Sequence, residues 1–339
     1  MAEVVPATPS PLAKLSFKPI IKDELRPTSS ERPTVTFNPD QHLAFVEDPK
    51  KLTLKDVSLP EDIGISPVAC SEPFPLFTEE AIQTMRQEIF TTEVEPHFHV
   101  TSLTNCCHRF APFMDQAWNN PKTLEVISQV AGVDLIPNIQ YEVGNINISI
   151  QKAASDEDKA AAKNGDNTSV TKWHYDAFPF VCVVMMSDAT NMLGGETALK
   201  TGTGEVLKVR GPQMGYAVIL QGRYVEHQAL AAIGGAERIT MITSFRPRDP
   251  CVKDDSVLTS IRPISELSEL YYQWAKYRAE VVRARLDAML NTLEEDHNAG
   301  KQTDVRGIKQ FLLQNEEYFA ITNKEIVEMR EPHRAWEGY

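Results

Sequence analysis

The chain has 339 residues, 42% of them hydrophobic, which is enough for one large core or two smaller ones. Its 34 basic and 47 acidic residues leave a formal charge of -13, which repels phosphate backbones and anionic lipid headgroups and argues against nucleic acid as a main partner. No stretch reaches the roughly 18 apolar residues of a membrane span and the opening MAEVVPATPSPLAKL has no apolar signal core, so the expectation is a soluble, cytoplasmic protein that does not engage membranes.

Five cysteines, at positions 70, 106, 107, 182 and 251, form no CxxC pair, and their odd number fits a reducing compartment. Twelve of the 22 prolines fall in residues 1–75, where missing N–H groups and fixed φ oppose long regular elements. Residues 1–75 are therefore expected to form an arm, partly packed on the body through Leu43, Phe45, Val46, Leu52 and Leu54. A helical region is expected over 76–135. Thr78 caps a first helix with Ala81, Ile82, Met85, Ile89 and Phe90 at helical spacing, and a second is predicted over about 122–131.

From about 136 to 250 the texture changes to short β-branched or aromatic runs broken by Gly, Asn and Asp. Strands are predicted in IQYEV, INISIQ, KWHYD, FVCVVMM, ETALK, EVLKV, YAVILQ, RYVEHQAL and RITMITSF. Short strands at close spacing without intervening helices point to an antiparallel sandwich or barrel. The segment AASDEDKAAAKNGDNTS reads as an exposed loop. Residues 251–339 are helical, with one helix approaching 30 residues and a second in IKQFLLQNEEYF, and this region could brace the body or supply a homodimer surface.

In KWHYD, His174 and Asp176 stand two residues apart, so a strand would turn both to one face and let them share a metal ion. His227, the remaining histidine of the strand region, completes two imidazoles and one carboxylate. That set leaves three positions of an octahedral ion open, as Fe(II) oxygenases need, although a catalytic zinc site also draws on these ligand types. 2-Oxoglutarate would fill two open positions and leave one for O2. Its distal carboxylate then needs a fixed cation, and Arg238, eleven residues after His227, offers a planar two-point donor with the Thr240 hydroxyl on the same strand face.

From about Ile136 to Arg246 the chain resembles the Fe(II)/2-oxoglutarate-dependent dioxygenase superfamily. HYD stands for its HxD, GGET at 194–197 for its Gly-rich turn, GYAVILQG for the strand before the distal histidine, and ERITMITSF for its RxS/T strand, with Thr240 where many members carry Ser. The Pro-rich start and PFPLFTEEAI resemble fungal members of natural-product pathways, which implies a place in secondary metabolite biosynthesis. The resemblance implies a mainly β fold with flanking helices around a double-stranded β-helix (jelly-roll, cupin-like) core, as one catalytic unit. It implies iron on His174, Asp176 and His227, 2-oxoglutarate on Arg238 and Thr240, and oxidation of a small molecule by hydroxylation, desaturation or cyclisation with release of succinate and CO2. The alternatives are a cupin-like metal enzyme that needs no 2-oxoglutarate, and a non-catalytic binding barrel.

Further positions are candidates for holding co-substrate or substrate. Tyr141 and Asn147 are assigned to the co-substrate; Asn145 and Ser149, on the face of Asn147 by alternation, to substrate. Phe178, Phe180, Phe245, Arg246 and Arg248 are weighed for substrate too, as is Arg223, an arginine near the barrel mouth being suited to a carboxylate such as that of an amino acid. His97, His99 and His108 with Cys106 and Cys107 match no structural zinc spacing, and TGTG at 201–204 reads as a hairpin turn rather than a phosphate loop.

Overall fold

The computed structural model describes residues 35–91, 94, 102–105, 107–150, 155, 171–189, 192–209, 213–233 and 237–328. The first 34 residues of the arm, the loop predicted at 153–169 apart from Ser155, and His97, His99 and Cys106 lie outside the described residues.

The described part of the arm contains α1 (Pro39–His42), β1 (Lys51–Thr53), β2 (Val68–Ser71) and β3 (Phe74–Pro75). These strands are short because prolines at 49, 60, 67, 73 and 75 interrupt the ladder, yet they pair: β1 runs antiparallel to β2, with Leu52 opposite Cys70. Helix α2 (Glu79–Ile89) begins where the sequence predicts it, with the Thr78 hydroxyl accepting from the Ala81 amide. It is followed by β4 (Ser102–Leu103), α3 (Cys107–Phe110), α4 (Pro112–Asn119) and α5 (Pro121–Ala131). Asn120 caps α5 and Gly132 closes it with φ 71°, a left-handed position that glycine enters without strain.

The barrel region holds β5 (Leu135–Pro137), β6 (Asn145–Ile150), β7 (Phe180–Met185), β8 (Leu193–Gly194), β9 (Thr197–Lys200), β10 (Val206–Val209), β11 (Tyr216–Leu220), β12 (His227–Ala229), β13 (Ala232–Ile233) and β14 (Glu237–Pro247). A large sheet runs in the order β1-β2-β11-β7-β14-β6-β4, with β3 on β11 and β5 on β14; β10-β9-β12 form a second sheet, and β13 pairs with β8. Two predicted strands are corrected. IQYEV forms a 3-10 turn at Gln140–Glu142, because the Tyr141 amide is taken by the Gln273 side chain and the Glu142 amide by Ile139 O. KWHYD is reduced to a single bridge, His174 opposite His227.

Alternation along β14 divides the molecule. Ile239, Met241 and Phe245 join the largest core with Ile146, Cys182, Val184, Ala217 and Ile219, packed under α2, α4 and α5 through Ile82, Met85, Trp118 and Ile127. On the opposite face Val181, Val218, Leu220 and Ile242 meet Leu199, Leu207 and Val209, so the two sheets pack face to face. A third core lies beneath the C-terminal helices α6 (Leu267–Asn298) and α7 (Val305–Glu325), around Leu258, Trp274, Tyr277 and Tyr318. Arg278 is buried there, its Nη1 donating to Asp254 O and its Nη2 to Tyr318 O. No helix among the described residues is long and apolar enough to cross a membrane.

Candidate metal centre

His174, Asp176 and His227 come together, each offering one ligand atom within 4.8 Å of the others. Reciprocal amide bonds hold the pair in register: His174 N–H donates to His227 O and His227 N–H to His174 O, both at 3.0 Å. The Asp176 amide donates to Gly222 O at 2.9 Å. Each imidazole donates Nδ1–H to a carbonyl two residues away, Lys172 O at 2.7 Å and Val225 O at 2.9 Å. That choice of tautomer leaves both Nε2 atoms unprotonated and turned to Asp176, at 3.7 Å from Oδ1 and 3.5 Å from Oδ2. Asp176 Oδ2 is buried and has no hydrogen-bond partner, a costly state for a carboxylate oxygen unless a cation satisfies it. The donor set and the orphaned oxygen therefore fit a divalent metal.

Gly222, the last residue of GYAVILQG, has a role of its own. A Cβ on it would stand 1.8 Å from Asp176 Oδ2, so the carboxylate occupies space that only glycine leaves. The neighbouring Gln221 locks this turn from behind, its amide donating to Ser66 O and Val68 O.

Arg238 and Thr240 stand on the face of β14 that turns toward the sheet carrying His227, opposite Ser149 and Asn147 of β6. Thr240 is buried, and Arg238 Nε is buried without a hydrogen-bond partner. Burial alone lowers the pKa of this guanidinium, which marks a charge held in poor solvent with no counter-charge among the described residues close enough to offset it. Gly195 lies beside it with φ 76°; a Cβ there would crowd the Ala232 Cβ at 3.0 Å and stand in ordinary contact with Arg238 Nε at 3.7 Å. One residue back, Glu237 forms a buried ion pair with Arg86 of α2 at 2.7 Å, and Arg86 also donates to Met186 O. This pair anchors the start of the strand that presents Arg238.

The other predicted positions divide. Asn145 and Asn147 share the face of Thr240 in register with Ile242 and Thr240; Ser149 pairs with Arg238 through the backbone. Phe245 is corrected: as an odd-numbered residue of β14 it points to the helix side and packs edge-on against Trp118 at 5.9 Å. Arg248 lies at the surface, where its Nε donates to both carboxylate oxygens of Asp134 at 3.0 Å. Phe178 is fully buried among Ala177, Leu258 and Trp274, and Arg246 lies over the Tyr277 ring at 5.1 Å. Tyr141 has another partner than the one assigned to it: its hydroxyl accepts from the Glu266 amide at 2.8 Å, which ties the 3-10 turn to α6. Arg223 donates to Asp255 O.

Glu142 escaped notice as one acid inside the apolar run IQYEV. It is buried, accepts from the Ser244 hydroxyl at 3.3 Å and is bonded to Asn145, on the Thr240 face of the large sheet. Burial pushes its carboxyl up to about 7, and the charge of Asp176 adds to the rise.

No family model matches the sequence, and no curated protein matches it. Among solved structures the chain is similar to an oxidoreductase of the 2OG-Fe(II) oxygenase family from Burkholderia pseudomallei, at 13% identity over 40% of this chain and 55% of that one, TM-score 0.30. It is similar to the non-haem α-ketoglutarate-dependent epimerase SnoN of nogalamycin biosynthesis, at 17% identity over 44% and 61%, TM-score 0.32. A prolyl 4-hydroxylase from Phytophthora capsici aligns over 76% of this chain and 89% of its own, at 11% identity and TM-score 0.39. The chain spans little more than half the length of the first two. The recurring type is the 2OG-Fe(II) oxygenase, but at these scores the likeness carries no functional argument, and the site's own geometry has to supply it.

Proposed function

We propose that the chain is a non-haem Fe(II) oxygenase that consumes 2-oxoglutarate and O2 to oxidise an unactivated C–H bond of a small molecule, releasing succinate and CO2. The observation that carries this reading is the buried, unpartnered Arg238 Nε beside Thr240, on a sheet face turned toward the sheet of the metal triad. A metal hydrolase or a cupin that acts directly on substrate has no use for such a cation, whereas a dicarboxylate co-substrate needs one at its distal end. The strand order β6-β14-β7-β11, facing β10-β9-β12 extended by the His174 bridge, supports a jelly-roll core.

In this reading His174, Asp176 and His227 hold the metal on one face, and Lys172 O and Val225 O keep both imidazoles in the ligating tautomer. Gly222 leaves Asp176 its position, and Arg238 with Thr240 takes the distal carboxylate of 2-oxoglutarate. The iron, when bound, supplies the oxygen activation and hydrogen abstraction that no amino-acid side chain provides. Asn145 and Asn147 line the same sheet face and are proposed to orient co-substrate or substrate. An amino acid or a natural-product intermediate is the proposed substrate class, with hydroxylation, desaturation and cyclisation open to the same chemistry.

Anaerobic titration tests the reading. Fe(II) and 2-oxoglutarate added together should produce a weak visible charge-transfer band that neither produces alone. A band that forms with Fe(II) alone, or no band with both, rejects 2-oxoglutarate as co-substrate.

A further inference from the structure

The C-terminal hairpin carries more apolar surface than its own chain covers. Along α6 the last buried residue is Arg285, and the helix then continues to Asn298 with no further buried side chain. That extension bears Leu286, Leu290 and Leu293 on one stripe, and α7 answers with Val305, Leu312 and Leu313. These six side chains are between 36% and 64% exposed. On α7 the apolar positions Val305, Leu312 and Phe319 recur every seven residues, the period of a helix seam rather than of scattered surface leucines. Helical turns that extend beyond a body gain little from propensity alone, so such a stripe calls for another helix against it.

Charge identifies the partner. Asp287 and Glu294 flank Leu290 on α6, while the first turns of α7, ahead of Glu316 and Glu317, carry Arg306 and Lys309 beside Val305 and Leu313; none of Asp287, Glu294, Arg306 and Lys309 makes an ion pair among the described residues. A surface with an acidic rim on one helix and a basic rim on the next is complementary to itself after a two-fold rotation, which lays α6 of one copy along α7 of the other. We propose that the tip of the α6–α7 hairpin is a homodimer surface, two copies closing it as an antiparallel four-helix bundle away from the metal centre.

Sedimentation equilibrium of the full chain at tens of micromolar tests this. The wild type should run as a dimer, and the double variant Leu290→Glu, Leu312→Glu should weaken association on the order of a hundredfold. Because buried charges could also loosen the hairpin, two exposed rim variants serve as the second measurement. Glu294→Lys and Lys309→Glu should each weaken the dimer on the order of tenfold, and their combination should restore it. A monomeric wild type, a dimer indifferent to the leucine variants, or a double swap that restores nothing overturns the proposal.

Discussion

The two faces of β14 show how one strand serves two ends. Ile239, Met241 and Phe245 face the helices, fully buried among apolar neighbours, whereas Arg238, Thr240 and Ser244 face the opposing sheet, where buried polar groups either lack partners or bond to other buried polar groups. The packed face gains free energy from every buried methylene; the polar face gives some of it up to hold groups in readiness for a ligand. Substitutions on the first face should therefore lower stability, and substitutions on the second should alter binding while leaving the fold intact.

The sharpest contrast comes from Phe245→Ala, which empties space against Trp118 and should cost about 3–5 kcal/mol in denaturant unfolding. Metal affinity per folded molecule should be unchanged in that variant; a selective loss of metal binding would break the division between faces. Gly222→Ala should do the reverse. Its methyl group would displace Asp176, weakening metal affinity on the order of a hundredfold with a much smaller loss of stability, as read by calorimetric titration.

Glu142 lets the polar face be read by pH. Because burial raises its carboxyl from 4.5 to about 7, it is held protonated in the fold at pH values where the unfolded chain has already ionised. Its contribution is fully present below about pH 4.5 and is lost as pH rises through 7, up to about 3 kcal/mol in all. In metal-free protein Glu142→Gln should abolish that decline, so its stability relative to wild type should grow between pH 4.5 and 7 and level off above. Parallel pH curves for the two proteins would show that the group ionises freely. The smallest effect is expected for Arg238→Ala, which should weaken 2-oxoglutarate binding by roughly 2 kcal/mol, about thirtyfold, with the Fe(II) affinity unchanged. An unaltered 2-oxoglutarate requirement would place the carboxylate anchor elsewhere on the face.

Much of this was legible before folding was considered. Thr78 announced the start of α2 through its hydroxyl, and period-two alternation put Thr240 on the face of Arg238 and Asn147 on that of Asn145 and Ser149, while the register of β6 on β14 joined the two sets. Phe245 was misjudged because its type suits a pocket wall, and only its parity along β14, fixed by pairing with Phe180 and Pro137, sends it to the helix side. The partner that Arg248 meets, Asp134, was hidden for a related reason: it lies 114 residues away and carries no local mark. Glu142 and the Arg86–Glu237 pair are invisible in the same way, since burial of a charge is a property of the packed chain.

By itself the sequence determined the kinds of chemistry this protein can attempt. A His-x-Asp pair, a later histidine and an Arg-x-Thr strand offer candidate metal ligands and a candidate carboxylate anchor, because residue type and local period suffice to say which groups of one strand share a face. Tertiary structure decided which of those groups meet. His174 reaches His227 only because reciprocal amide bonds pair residues 53 positions apart. Asp176 keeps its place only because Gly222 leaves it room, and Arg238 Nε stays without a partner because the fold buries it away from every carboxylate among the described residues. Distance along the chain says nothing of these contacts, since they are set by strand register and by the shape of what packs around them.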